Sequence, residues 1–257
     1  YRSRSMEEIE HECKQLVQQG VQELILIAQD TSYYGTDLYG EPRLPQLLKR
    51  VAESGAKWIR VLYCYPERIT DDLLETMASV DSIVPYLDMP LQHVDDTVLR
   101  AMGRPTSDAK IRTLLQRISV IGQAHHKPFT LRTTLIAGFP GETQEQHQRL
   151  LSFVKEGHFD HLGAFAYSQE EGTKAAQMQG QWDEATKEKR ASAIMRAQSS
   201  TSKAHNRAFL HKEVEVLIEQ WDEKAHTAIG RMASQAPEVD GVVILPNCSH
   251  PCLPGTW

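Results

Sequence analysis

The stretch Thr130-Leu131-Arg132-Thr133-Thr134-Leu135-Ile136-Ala137-Gly138-Phe139-Pro140-Gly141-Glu142-Thr143-Gln144-Glu145-Gln146 holds one strand, one loop and the start of one helix. From Phe129 to Ala137 the chain is dominated by apolar and β-branched residues, the composition of a buried strand. Gly138-Phe139-Pro140-Gly141 interrupts it with turn chemistry. Thr143, three residues ahead of Gln146, then offers a capping box that opens a helix running to about Glu156. Gly157 and a further strand, Leu162–Tyr167, follow.

The same order recurs on the N-terminal side. Ser5 with Glu8 caps a first helix whose Ile9, Cys13, Leu16 and Val17 share one face. That helix ends at Gly20, and the strand Glu23–Ala28 follows at once. Gly55 stands in the same place before Trp58–Tyr63, and Ile83–Leu87 is a third strand. Glycine at the position after a helix supplies the left-handed conformation that stops it. Helix, glycine and strand in alternation predict parallel strands joined by right-handed crossovers. No G-x-G-x-x-G follows any strand, so a dinucleotide fold has no support and a (β/α) barrel is favoured. Because the chain opens on a helix, the expected fold is α/β, a partial parallel barrel missing its first strand.

Beyond about Asp183 the pattern predicts a long helix to roughly Ala208. A small β module follows, with strands at Glu213–Ile218 and Val242–Leu245 and turns at Gly230-Arg231 and Asp240-Gly241. Cys248–Trp257 carries no element signal. The expected division is residues 1–210 for the barrel and 211–257 for an incomplete module with an unmatched tail.

Composition bounds the reading. Of 257 residues 40% are apolar and 24% charged, enough for a sizeable core and incompatible with disorder. No apolar run approaches the ~18 residues of a membrane span, and nothing at the N-terminus has a signal-peptide pattern. The chain begins at Tyr1 without an initiator Met and reads as a piece of a longer protein or a processed product. A net charge of −6 argues against a general nucleic-acid binder. Four cysteines without regular spacing make no disulfide scaffold and fit a reducing, cytoplasmic setting.

In parallel α/β proteins ligands gather at the carboxyl ends of the strands. Those ends read Gln29-Asp30-Thr31, Tyr63-Cys64-Tyr65-Pro66, Asp88-Met89-Pro90-Leu91-Gln92-His93, Gly138–Glu142 and Tyr167–Thr173. Amides, carboxylates, an arginine and two glycine loops make a site for a polar ligand of nucleotide size. Each has a plainer reading. Gln29, Asp30 and Thr31 equally suit a cap, and the glycine loop serves the Thr143 cap as well. Arg132, inside an apolar strand, needs an anionic partner, either a ligand or a core carboxylate. His93 with Asp95 and Asp96 resembles a metal set, but the aspartates fall where a helix N-terminus wants them. Cys248-Ser249-His250-Pro251-Cys252 offers three soft ligands with no second pair to complete four-coordination. No metal ligand is assigned. Cys13 reads as core, His125-His126 as an exposed helix end, and Cys64 as either core or site.

The runs Tyr1–Ser5, Ala28–Thr31, Tyr86–His93, Arg132–Thr143 and Tyr167–Thr173 together resemble the radical SAM methylthiotransferases, in order, from Tyr1 to about Asn247. The resemblance implies S-adenosylmethionine lying across the strand ends and, in the full-length family, [4Fe–4S] clusters. It implies methylthiolation of an aspartate β-carbon. The Gln-Asp-Thr and Leu-Gln-His variants favour the branch that modifies ribosomal protein S-twelve over the branch that modifies tRNA. Carried over by position, Gln29 and Asp30 approach the methionyl amino group. Gln92 and Arg132 face the methionyl carboxylate or ribose, and Ile136 and Gly138 lie near the adenine. Catalytic residues stay unassigned. The expected partners are ribosomal protein S-twelve and an electron donor, with no membrane and no direct tRNA substrate.

One departure stands out. The family's C-x-x-x-C-x-x-C cluster ligands precede the residues matching Tyr1 and are absent here, as is the family's N-terminal domain. Activity of this chain by itself is therefore not expected. From about His211 the chain resembles the start of a TRAM domain. Residues 211–257 carry three basic residues (Lys212, Lys224 and Arg231) against seven acidic ones, a net of −4. That balance suits a basic protein substrate better than tRNA. The rival readings are a tRNA methylthiotransferase, a cluster-free fragment that binds S-adenosylmethionine or the ribosomal protein, and a conventional barrel lyase or aldolase. The last lacks a strand-borne lysine or metal triad.

Overall fold

The computed structural model describes all 257 residues. Eight helices are α1 (Met6–Gln18), α2 (Thr36–Tyr39), α3 (Leu44–Ala52), α4 (Asp71–Ser79), α5 (Asp96–Ala101), α6 (Asp108–Ala124), α7 (Gln144–Lys155) and α8 (Glu184–Arg207). Five strands form the main sheet: β1 (Glu23–Leu26), β2 (Trp58–Val61), β3 (Ile83–Asp88), β4 (Thr130–Ala137) and β5 (His161–Ala166). They lie in the order β1-β2-β3-β4-β5, all parallel. Every strand sits beside its sequence neighbour, so the winding never reverses. That is barrel winding, whereas a doubly wound sheet has a switch point.

The local signals behave as their chemistry requires. Both capping boxes form, Ser5 with Glu8 and Thr143 with Gln146. Gly20, Gly55 and Gly157 all take positive φ between a helix and the strand that follows. β1 stops at Leu26 and β2 at Val61, earlier than expected. After β2 the backbone turns at Tyr63, which holds φ +60°, a conformation that costs an L-residue about 1–2 kcal/mol.

Alternation along the strands gives the sheet two different faces. Leu24, Ile59, Val61, Ile83, Leu87, Leu131 and Leu135 pack with Leu48, Leu74, Leu99, Leu114 and Phe153 from the helices in the main core. The opposite face carries Glu23, Trp58, Arg60, Tyr86, Asp88, Arg132 and His161. Its lower half, at the amino ends of the strands, is covered by a second sheet, whose Leu217 packs with Trp58 and Tyr86. That sheet comprises β6 (Leu217–Asp222), β7 (Thr227–Arg231) and β8 (Val243–Leu245), antiparallel in this order.

The small module departs from the sequence reading in three places. Residues 213–216 precede the strand, because pairing with β7 begins only at Leu217 opposite Arg231. Gly230 and Arg231 are not a turn but the end of β7. A Cβ on Gly230 would lie 2.4 Å from the Leu217 carbonyl oxygen, so this glycine permits close strand approach beside an irregularity in β6. The segment Cys248–Trp257, which carries no element signal in the sequence, docks on the free edge of β6. Ile218 donates to the Thr256 carbonyl at 2.9 Å and Gly255 to that of Ile218 at 2.8 Å.

Candidate functional site

Two groups of polar side chains occupy the non-helical face and the carboxyl ends of the main sheet. At the floor, Glu23 accepts from Arg60 Nε at 2.7 Å and from Arg231 Nη2 at 2.6 Å. Arg60 is fully buried, donates to the Ala233 carbonyl and lies over the Tyr86 ring. Burial depresses its pKa, and Glu23 opposes that shift. Next to this cluster, Arg132 donates to Asp88 Oδ1 at 2.9 Å and lies 3.5 Å from Asp240 Oδ1. The partner required by this largely enclosed guanidinium is thus supplied by a core carboxylate and by one from the small module. Burial opposes the Arg132 charge, but Asp88 and Asp240 outweigh it and raise the pKa.

Asp88 links the floor to the strand ends. Its second carboxylate oxygen accepts from the Tyr63 backbone N–H at 3.1 Å. The Tyr63 carbonyl in turn accepts from the Thr31 N–H at 2.9 Å. Thr31 follows Asp30, whose side chain is buried, accepts from the Ser32 hydroxyl and pairs with Arg68 at 2.9 Å. Asp30 begins a short 3-10 turn without bonding its N–H groups, so the cap reading does not describe what its carboxylate does. Gln29 is exposed beside it.

Gln92 reaches β4 through its backbone. It donates to Thr134 and accepts from Ile136 while holding φ +67°. This brings Gln92 and Ile136 together, on the strand that carries Arg132 at its other end. The Gln92 side-chain oxygen is buried without a protein partner. Ile136 packs with Val98, Phe139 and Tyr167. Gly138 has φ +73°, and a Cβ there would lie 2.5 Å from Lys187 Cγ, so close approach of α8 demands the glycine. Its N–H and that of Phe139 both go to Glu142 Oε2.

Behind this loop lies a buried cluster that the sequence reading missed: His93, Glu142, His147 and Arg190. His147 Nδ1 is 3.3 Å and Arg190 Nη1 3.4 Å from Glu142 Oε1. Burial pushes the His93 pKa down to about 4, against the pull of Glu142. Burial alone would raise Glu142, but His147, His93, Arg190 and the Gly138 N–H together lower it. His93 Nδ1 accepts from the Asp95 N–H, and Asp95 caps α5. The His93-Asp95-Asp96 run is therefore a helix start. His147 and Arg190 lie on helices far along the chain, and no local signal in the sequence marks them.

Cysteine placement decides what the chain can ligate. Cys13 and Cys64 are buried, and burial pushes both thiols up in pKa, with Asp30 and Asp88 adding to the effect at Cys64. Cys248 and Cys252 lie in the docked tail. No group of three or more His, Cys, Asp or Glu side chains is placed to hold a metal ion. The residues present do not fit an iron–sulfur cluster, which requires several thiolates. They do fit the polar part of a nucleoside ligand, since a buried, unpartnered amide oxygen and a buried carboxylate stand at the strand ends.

The model of the radical SAM superfamily matches residues 1–154, and that of the TRAM domain residues 212–255. The chain belongs to the radical SAM superfamily, whose members use S-adenosylmethionine and a [4Fe–4S] cluster. The TRAM match covers the tail as far as Gly255, so Cys248–Gly255 belongs to the module and is not an unmatched tail. Among curated proteins, the chain is 46% identical over 253 residues to the ribosomal protein uS12 methylthiotransferase RimO of Moorella thermoacetica, covering 98% of this chain and 56% of that protein. It is 45% identical over 245 residues to that of Desulforamulus reducens, covering 95% and 54%. The chain thus spans about half the length of the curated relatives it matches. Among solved structures, coproporphyrinogen III oxidase of Escherichia coli, a radical SAM enzyme, shares the fold. The TM-score is 0.57 and the identity 15%, over 90% of this chain and 59% of that one. No helix is long and apolar enough to cross a membrane.

Proposed function

We propose that this chain is the S-adenosylmethionine-binding body and the substrate-facing module of a methylthiotransferase acting on an aspartate of ribosomal protein uS12. The observation that carries the reading is continuous identity of about 45% through both units with relatives of that name. The geometry supports it. The strand ends gather buried polar groups, and at or just beyond those ends Ile27, Phe165 and Tyr63 are exposed, at 64%, 59% and 38%.

The β-carbon of an aspartate carries an unactivated C–H bond, which offers no foothold to an acid or base. S-adenosylmethionine, when bound with its reductant, supplies the radical chemistry such a bond needs. The chain's own residues have the remaining tasks. Asp30, which pairs with Arg68, would share its carboxylate with the cationic methionyl amino group, and Gln92 Oε1 would accept from the ribose or amino group. Ile136 would give the adenine an apolar wall. Arg132, already matched by two carboxylates, would act as the floor beneath the ligand, and the apolar rim would exclude water. No step is assigned to a cluster, because these residues do not supply one. The electron donor belongs to the complete enzyme, and the setting proposed for it is cytoplasmic.

The acidic module favours a basic protein over tRNA. The reading is tested by measuring binding of this chain to purified ribosomal protein uS12 and to tRNA across a salt series. Saturable binding to uS12, with no more than weak binding to tRNA, is expected. Steeply salt-dependent binding to tRNA, with none to uS12, would overturn the substrate assignment in favour of a tRNA methylthiotransferase.

A further inference from the structure

The small module reaches the main sheet through one carboxylate that touches three strands. The Asp240 side chain is 1% exposed. Its Oδ2 accepts from Tyr86 Oη on β3 at 2.6 Å and from the Ala236 N–H at 2.8 Å. Its Oδ1 lies 3.5 Å from Arg132 Nε on β4 and 3.5 Å from His161 Nδ1 on β5. If docking were its only task, this carboxylate would duplicate others. Arg231 with Glu23, Arg60 with the Ala233 carbonyl, and His161 with the Ser234 carbonyl already fasten the module. What sets Asp240 apart is where its contact leads.

We propose that Asp240 is a positioning residue for the ligand face, acting through Arg132 and Asp88 on Tyr63. The inference rests on the reading of the strand ends as the S-adenosylmethionine face. Two carboxylates flank the Arg132 guanidinium and fix it between them. Arg132 in turn occupies Asp88 Oδ1, which orients Oδ2 toward the Tyr63 N–H. Tyr63 holds an unfavourable left-handed conformation at the carboxyl end of β2. Such a conformation persists only where neighbours over-determine it, and the Asp88 bond is one of those determinants. Without the Asp240 charge, Arg132 is free to draw Asp88 inward. The Tyr63 bond then weakens, although Tyr63 itself is separated from Asp240 by the Arg132 and Asp88 side chains. The TRAM module is thereby part of the scaffold of the site as well as a surface for substrate.

The test is amide hydrogen exchange on the 257-residue chain. It compares wild type, Asp240→Asn, Tyr86→Phe and Arg132→Gln, with melting temperature as a control. Asp240→Asn keeps the shape and removes the charge. Tyr86→Phe removes the shortest bond to Asp240 but leaves its charge beside Arg132. The relay predicts that Asp240→Asn and Arg132→Gln raise exchange at the Tyr63 amide about tenfold, the expected loss for a hydrogen bond to a charged group. It predicts that Tyr86→Phe leaves that amide unchanged while loosening residues 236–241. Should Asp240→Asn not fold, Asp240→Glu takes its place with the same expected rise at Tyr63, and Arg132→Gln tests the Arg132–Asp88 link on its own, since the Glu23–Arg231 pair keeps the module docked. Increased exchange confined to the module in Asp240→Asn, or an unchanged Tyr63 amide in Arg132→Gln, would overturn the proposal. Binding of S-adenosylhomocysteine by wild type is measured alongside. Its absence would count against the cofactor reading, and the exchange result would still decide the relay.

Discussion

The floor of the main sheet and its strand ends both bury charged and amide side chains, yet they finish them differently. At the floor, Glu23, Arg60, Arg231, Arg132, Asp88 and Asp240 are matched by one another. The one loose atom there, Arg60 Nη2, belongs to a guanidinium lying over the Tyr86 ring. At the strand ends, Gln92 Oε1, His93 Nε2 and Tyr167 Oη are buried without a hydrogen-bond partner, whereas Glu142 Oε1 and His147 Nδ1 behind them face each other at 3.3 Å. Leaving such a group unmatched costs about 1–3 kcal/mol. A fold that completes its network at one end and not at the other separates two duties. The floor holds the module on, and the strand ends keep polar groups available to a ligand.

Perturbing the floor should cost most. Glu23→Gln strips two buried guanidiniums of their shared anion, and unfolding in urea should show a loss of about 3–5 kcal/mol. A loss under about 1 kcal/mol would mean the floor is no more cooperative than a surface pair. Gly138→Ala, at the strand ends, puts a methyl against Lys187 in a left-handed conformation. It should cost about 3 kcal/mol by the same measurement, from strain and overpacking together.

Acid should act on the strand ends. In the folded chain His93 stays neutral down to about pH 4, whereas in the unfolded chain it takes up its proton near 6.5. Between those values the unfolded state binds more protons, so stability falls as pH falls, by up to roughly 3 kcal/mol. His93→Gln should flatten that part of the curve. An unchanged slope would show that His93 is not the group responsible. The smallest effect is expected away from both regions. Glu156, whose pKa Arg112 pulls down to about 2, is 37% exposed, and Glu156→Gln should change stability by at most about 1 kcal/mol.

Much of this was legible in the sequence because the signals are local. Capping boxes at Ser5 and Thr143, and glycines at 20, 55 and 157, depend on neighbours within a few residues. They located the helices and the order of the strands. The strand ends were legible because barrel winding places them together. What escaped was long-range. Arg132 announced its need for an anion, but nothing local said that Asp88, 44 residues earlier, and Asp240, on another module, would meet it. The Gly230-Arg231 pair has the composition of a turn, and only the approach of the β6 backbone explains a glycine inside β7. His147 and Arg190 converge on Glu142 from two helices, and helical spacing alone does not distinguish them from surface residues.

The difference between the two regions is tested most directly by titrating S-adenosylhomocysteine into wild type and Gln92→Ala, with melting temperature recorded for both. Saturable binding by wild type is expected, weakened about tenfold or more in Gln92→Ala at an unchanged melting temperature. No saturable binding by wild type, or equal affinity in the two proteins, would contradict the assignment of the strand ends as the ligand face.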